Sequence, residues 1–223
     1  MRPRPVEPAA DAGLKPRLRG ISHAAAFVLT IPLGIVLVLR ADTSLGRIAA
    51  LAFAGTVVTM FGASALYHCV NWPEGKRRWM RRVDHAGIYA LIAGTYTPFG
   101  LLVLHGTWRV AVLSIVWSGA AVAIVLKFLW VDAPKWLAVG IGIALGWIGA
   151  AIYPQILDAI GVGPALLVLA GGLAYTGGAL VYGLRRPDPW PRVFGYHEVF
   201  HALVILAVAC QYSAIAFAVL PKH

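Results

Sequence analysis

Residues 21–39 read ISHAAAFVLTIPLGIVLVL, and this run decides what kind of protein the chain makes. A helix needs about 20 apolar residues to cross the hydrocarbon of a bilayer. The run is too long for a signal-peptide core and has no evident small-residue cleavage site, so it is taken as a helix of the mature protein. Six more such stretches follow at about 47–68, 84–104, 109–130, 135–154, 163–184 and 197–220, each bounded by charge, Pro or Gly. In lipid the backbone must bond within itself, so these runs are predicted as helices. Barrel strands would alternate apolar and polar residues, and these runs do not. The expected fold is an all-α integral membrane protein, a seven-transmembrane-helix bundle. It forms a single domain over 21–220, after a polar, Pro-containing arm at 1–20 that is expected to be disordered.

The composition agrees. Hydrophobic residues make up 60% of the 223 and charged residues 13%, too few charges to cover a water-facing surface. The net charge of +10 comes from basic residues set between apolar runs rather than on one polar domain, which argues against nucleic acid as a partner. If the N-terminus is cytoplasmic, the inside segments carry 15 of the 19 Lys and Arg, and the outside segments keep only Arg40, Arg47, Arg109 and Lys222. Such asymmetry sets topology. It predicts a cytoplasmic N-terminus, an outside C-terminus and a multi-pass place in the cell inner (plasma) membrane.

Small residues spaced by four, Gly142, Gly146 and Ala150 on the fifth helix and Ala174 and Gly178 on the sixth, are material for close helix packing. Pro98, within Thr95-Tyr96-Thr97-Pro98, is expected to kink the third helix or free a carbonyl that Thr hydroxyls help to satisfy. Cys69 and Cys210 form no C-x-x-C pair and are expected to be small buried residues.

Ionisable groups inside membrane segments mark function by default. Four stand out: His68, Asp84, His197 and His201. His68 ends the second helix, Asp84 begins the third, and His197 and His201 open the seventh, so all four fall at one depth, near the cytoplasmic interface. His197 and His201 are four apart and project from one helix face. With His68 as third ligand they make a metal site, preferentially for Zn2+, that leaves a tetrahedral position for water. Asp84 then bonds that water or a ligand imidazole, and Ser64, on the face of His68, adds a further hydrogen bond. His197-Glu198-Val199-Phe200-His201 also matches H-E-x-x-H, in which the Glu is the general base of a zinc protease. His23, His85, His105 and His223 are expected to be structural, and Cys69 is not expected to be a ligand.

Ser64-Ala65-Leu66-Tyr67-His68, Val83-Asp84-His85-Ala86-Gly87-Ile88-Tyr89, Ile92-Ala93-Gly94-Thr95-Tyr96-Thr97-Pro98-Phe99 and the His197–His201 motif together resemble the bacterial hemolysin III family. That family stands with the progestin and adiponectin receptors (PAQR proteins) in a wider group that includes alkaline ceramidases. The resemblance runs from about residue 17 to 220. It implies seven helices with a cytoplasmic N-terminus, zinc held by His68, His197 and His201, and Asp84 contacting the zinc-bound water. It also implies hydrolysis of a lipid amide such as ceramide, and for the bacterial branch haemolysis and membrane-fluidity homeostasis. Many members carry E-x-x-N-x-x-T-H before the first helix; here Lys15-Pro16-Arg17-Leu18-Arg19-Gly20-Ile21-Ser22-His23 keeps only the Ser-His end.

The leading expectation is a zinc-dependent hydrolase of a lipid amide or ester, with catalytic roles for Asp84 and Ser64 and a lipid substrate entering from the inner leaflet. The alternatives are a non-enzymatic, receptor-like regulator of membrane homeostasis with structural zinc, a cytolysin, and an H-E-x-x-H membrane protease.

Overall fold

Apolar side chains on every face of a segment leave its backbone no partner but itself, and helices result. The computed structural model describes residues 16–222. Its seven long helices are α1 (Ile21–Leu39), α2 (Ser44–Cys69), α3 (Glu74–Pro98), α4 (Gly106–Leu129), α5 (Lys135–Ile160), α6 (Val162–Leu184) and α7 (Tyr196–Ala214). All seven are long and apolar enough to cross a membrane. π-helical segments extend α3 over Phe99–Val103 and α7 over Ile215–Val219. Among the described residues the one β feature is a single bridge between Trp190 and Phe194.

Two predicted boundaries move, for one reason. α3 starts at Glu74, ten residues before the apolar run, and α5 continues past Pro154 to Ile160. Hydropathy marks where a helix is in lipid, not where it ends: Glu74, Lys76 and the arginines after it extend α3 as good helix formers, and residues 155–160 simply continue α5 beyond Pro154. Pro73 fits the start of α3, where no helical N–H is lost. Residues 1–15 of the expected arm lie outside the described residues. Residues 16–20 form a turn tied to the α6–α7 loop, with Arg17 N–H donating to the Arg192 carbonyl and Leu18 N–H to Val193, both at 3.1 Å.

Successive helices pack side by side, α7 returns to α1, and α3 is the most enclosed. Large apolar side chains such as Val28, Val122, Trp136, Leu169 and Leu184 face outward on the helices, a surface suited to lipid. The polar side chains are inside: His23, Ser64, His68, Asp84, Lys127, Glu198 and His201 are all buried. The starts of α1, α3, α5 and α7 and the ends of α2, α4 and α6 share one end of the bundle. There His23 meets Ser64, Arg78 meets Asp132, and Lys135 meets Tyr196.

The small residues do not all serve packing. A Cβ at Gly178 would lie 3.3 Å from Phe200 of α7, a close contact as expected. Among the described residues Gly142 and Gly146 have nothing within 4 Å of a Cβ position and line a cavity instead. The closest approach is at Gly94, where a Cβ would come 1.9 Å from the Thr56 hydroxyl on α2. The Thr95 and Thr97 hydroxyls bond the Leu91 and Ala93 carbonyls at 2.8 and 2.9 Å, not the Gly94 carbonyl that Pro98 leaves free. Cys69 is exposed and Cys210 half-buried, not buried as expected, since Cys69 closes a helix whose enclosed face is that of His68.

Gly94→Ala should therefore lower thermal stability by about 1–3 kcal/mol through overpacking. Gly142→Ala should leave it unchanged or raise it, because Ala is the better helix former. Thermal unfolding of the two purified variants compares them, and equal loss in both would contradict the packing described.

Candidate metal centre

The i,i+4 spacing of His197 and His201 places both rings on one face of the first turns of α7. The α2 end brings His68 to the same point: His68 Nε2 lies 3.2 Å from His197 Nε2. The ring centroids of His68 and His201 are 5.1 Å apart, and those of His197 and His201 4.5 Å. One nitrogen from each of the three rings falls within a set whose members are all within 4.8 Å of one another. Asp84 Oδ2 stands 3.9 Å from His68 Nε2. The two predicted groups, the three imidazoles and the carboxyl, are thus neighbours, although more than 110 residues separate Asp84 from α7 in the chain.

The donor set suits zinc. Zn–N bonds of about 2.0–2.1 Å at a tetrahedral angle put two ligand nitrogens about 3.3–3.4 Å apart, close to the His68–His197 spacing of 3.2 Å. His201 Nδ1 is buried without a hydrogen-bond partner among the described residues, an expensive state for a ring nitrogen that has no ligand. Three imidazoles with no thiolate, beside one carboxylate, match the ligand pattern of open zinc sites.

Ser64, the other predicted site residue, bonds a histidine expected to be structural. Its hydroxyl is 2.8 Å from His23 Nδ1. The His23 ring is buried and stacks on His201, with centroids 3.6 Å apart and planes 9° from parallel. His23 therefore belongs to the cluster and is no isolated structural residue. The signal was available: His23 opens α1 at the depth that singled out the other four. His85 also differs from expectation, because it faces the same cavity as Asp84.

Glu198 is fully enclosed, and both its oxygens are engaged. Oε1 pairs with Arg19, and Oε2 accepts the Gly195 N–H at 2.8 Å. It caps α7 and anchors the turn before α1. A general base needs a free oxygen facing the reacting water, and Glu198 does not line the cavity, so the H-E-x-x-H protease geometry is not formed.

That cavity, of about 550 Å3, runs beside α3, α5, α6 and α7. His23, His197, His201, Ser64 and Asp84 line one end, and the walls beyond are mostly apolar, including Ile152, Val168 and Leu173. His68 joins the cluster from outside this lining. Tyr96 spans the cavity wall, donating to the Leu145 carbonyl at 3.1 Å and accepting the Gly149 N–H at 2.6 Å, and so ties α3 to α5.

The Haemolysin-III related family matches residues 13–212, a span that contains every residue of the cluster. The chain belongs to the haemolysin-III family. Hemolysin-3 of Bacillus cereus is 33% identical over 205 residues, 90% of each chain. The Hemolysin-3 homolog of Bacillus subtilis (strain 168) is 30% identical over 201 residues, 88% of this chain and 91% of that one. The heptahelical transmembrane protein ADIPOR2 of Oryza sativa subsp. japonica is 31% identical over 158 residues, 60% of this chain and 65% of its own. The resemblance to the PAQR proteins is thus established. As a haemolysin-III protein with seven apolar helices, the chain is a multi-pass membrane protein.

The role of Glu198 has a direct check. Glu198→Gln should destabilise the fold by on the order of 3 kcal/mol, because Arg19 loses its partner, while bound metal per chain stays at the wild-type value. Unchanged stability with lost activity would return Glu198 to the role of base.

Proposed function

We propose that this haemolysin-III protein is a zinc-dependent hydrolase of a lipid amide or ester, its N-terminus cytoplasmic and its substrate drawn from the inner leaflet. The single observation that carries the reading is the meeting of three imidazoles and the Asp84 carboxyl at one end of a mostly apolar cavity. The charge asymmetry between the two ends supports the orientation.

His68, His197 and His201 would hold the ion. When bound, zinc supplies Lewis acidity, polarising a carbonyl and acidifying water. Asp84 takes a proton from the attacking water at Oδ2 and returns it to the leaving nitrogen or oxygen, so that an amide or ester and water give a carboxylic acid and an amine or alcohol. Ser64, hydrogen-bonded to His23, holds that ring against His201 and keeps the His201 plane fixed. The apolar walls receive the acyl chain and keep bulk water from the reacting groups.

A second reading rests on a specific observation: His68 reaches the cluster without lining the cavity. Zinc there would clasp α2 to α7 and serve a receptor-like regulator through stability alone. Purified protein assayed with ceramide-like and acyl-amide lipids, beside metal analysis, separates the two. The hydrolase reading expects turnover with about one zinc per chain. Asp84→Asn should lower kcat by about 10²–10⁴-fold with zinc retained, and His197→Ala/His201→Ala should lose both. Zinc bound without turnover on either lipid class, with chelation lowering the melting temperature, supports the structural role.

A further inference from the structure

At the same end of the bundle the cavity carries a second polar group that the metal chemistry does not use. Lys127, in the last turn of α4, lines the cavity and is 4% exposed. Among the described residues its ammonium has no hydrogen-bond or close ion-pair partner; it lies within electrostatic reach of Arg81 and Asp132. Arg81 of α3 and Lys135 of α5 line the cavity beside it, and His85 stands among all three cations with its Nδ1 buried and, among the described residues, unpartnered. Lys135 is held over the faces of Tyr182 and Tyr196, 4.6 and 5.2 Å from the ring centroids.

A buried lysine without a counter-charge is costly, and the nearby acid does not supply one. Asp132 is exposed and is taken by Arg81 and by Arg78, the latter at 3.0 Å. The hydrogen bond from Arg81 holds its carboxyl below the usual carboxylate range, so it stays ionised. Of the carboxylates at this end, Asp132 is taken by Arg81 and Arg78 and Asp84 stands beside His68, so among the described residues the ammonium groups of Lys127 and Lys135 are two positive charges facing the cavity with no carboxylate paired to them. A phosphate monoester carries close to that charge and has three acceptor oxygens to share among separate donors; a single carboxylate has neither.

We propose that this end of the cavity binds the phosphate headgroup of a single-chain amphiphile, with Lys127, Arg81 and Lys135 as its partners and the apolar walls around its chain. As a statement about binding it stands alone; as a statement about substrate class it rests on the hydrolase reading. The length of apolar wall beyond the cations selects a lipid over a soluble phosphate.

The test is a titration of the full-length purified chain in neutral detergent with dodecyl phosphate, dodecanoate, dodecanol and inorganic phosphate, read by native mass spectrometry and thermal shift. Dodecyl phosphate should bind at least about tenfold more tightly than the other three, the scale of losing charge-assisted hydrogen bonds. Lys127→Met should remove that preference while leaving dodecanol binding unchanged, and Lys127→Arg should restore it. Should Lys127→Met fail to fold, Lys135→Gln reports the same loss from an outer position. Equal binding of phosphate and alcohol, or a preference that survives both Lys127→Met and Lys135→Gln, would overturn the proposal. Inorganic phosphate binding as tightly as dodecyl phosphate would overturn the lipid assignment. The preference should also persist in His197→Ala/His201→Ala protein stripped of metal. Its loss there would move the anion to the metal centre and overturn this site, whereas its retention keeps the site whatever becomes of the hydrolase reading.

Discussion

Imidazole, carboxyl and ammonium groups taken out of water must find partners, and in this bundle they find them almost wholly at one end. The apolar middle of seven helices offers nothing to a polar side chain. His23, Ser64, His68, Asp84, His197 and His201 are therefore stable only as a mutual set. The same requirement explains Glu198, whose charge is matched by Arg19 and whose second oxygen caps α7. That contact fixes α7 against the turn before α1 and so sets the angle at which His197 and His201 meet His68.

The helices around this set divide into tight and loose contacts. α2 and α3 approach closely enough that Gly94 admits no side chain opposite Thr56, and α6 packs on α7 through Gly178. α5 stands away from α3, with Gly140, Gly142 and Gly146 facing open space among the described residues and Tyr96 reaching across to Gly149. The cavity is the consequence: rigid walls carry the imidazoles and Asp84, while the glycine face of α5 leaves room for a chain-like molecule. Joining a polar, metal-competent end to an apolar slot is what processing or sensing a lipid requires.

Much of this was legible in the sequence. Seven apolar runs gave seven helices, because the bilayer constraint acts locally and is strong. A common depth for His68, Asp84, His197 and His201 could be read from the chain, because alternating helix direction converts chain position into height. What stayed illegible depends on rotation about helix axes and on distances between helices. Depth alone did not separate His23, which stacks on His201, from boundary histidines. Spacing by four could not tell Gly178, in contact with α7, from Gly142, which faces a cavity. A 100° offset set His85 apart from Asp84, but the cavity is wide enough to reach both. Lys127 looked like a topology signal because it ends a helix, and only the fold shows its ammonium turned inward.

Zinc K-edge X-ray absorption on the purified chain tests the metal assignment most directly. The account predicts one zinc per chain, with about three nitrogen scatterers at about 2.0–2.1 Å, imidazole multiple scattering and one further light atom. No zinc, or a sulfur scatterer near 2.3 Å from Cys69, would contradict it.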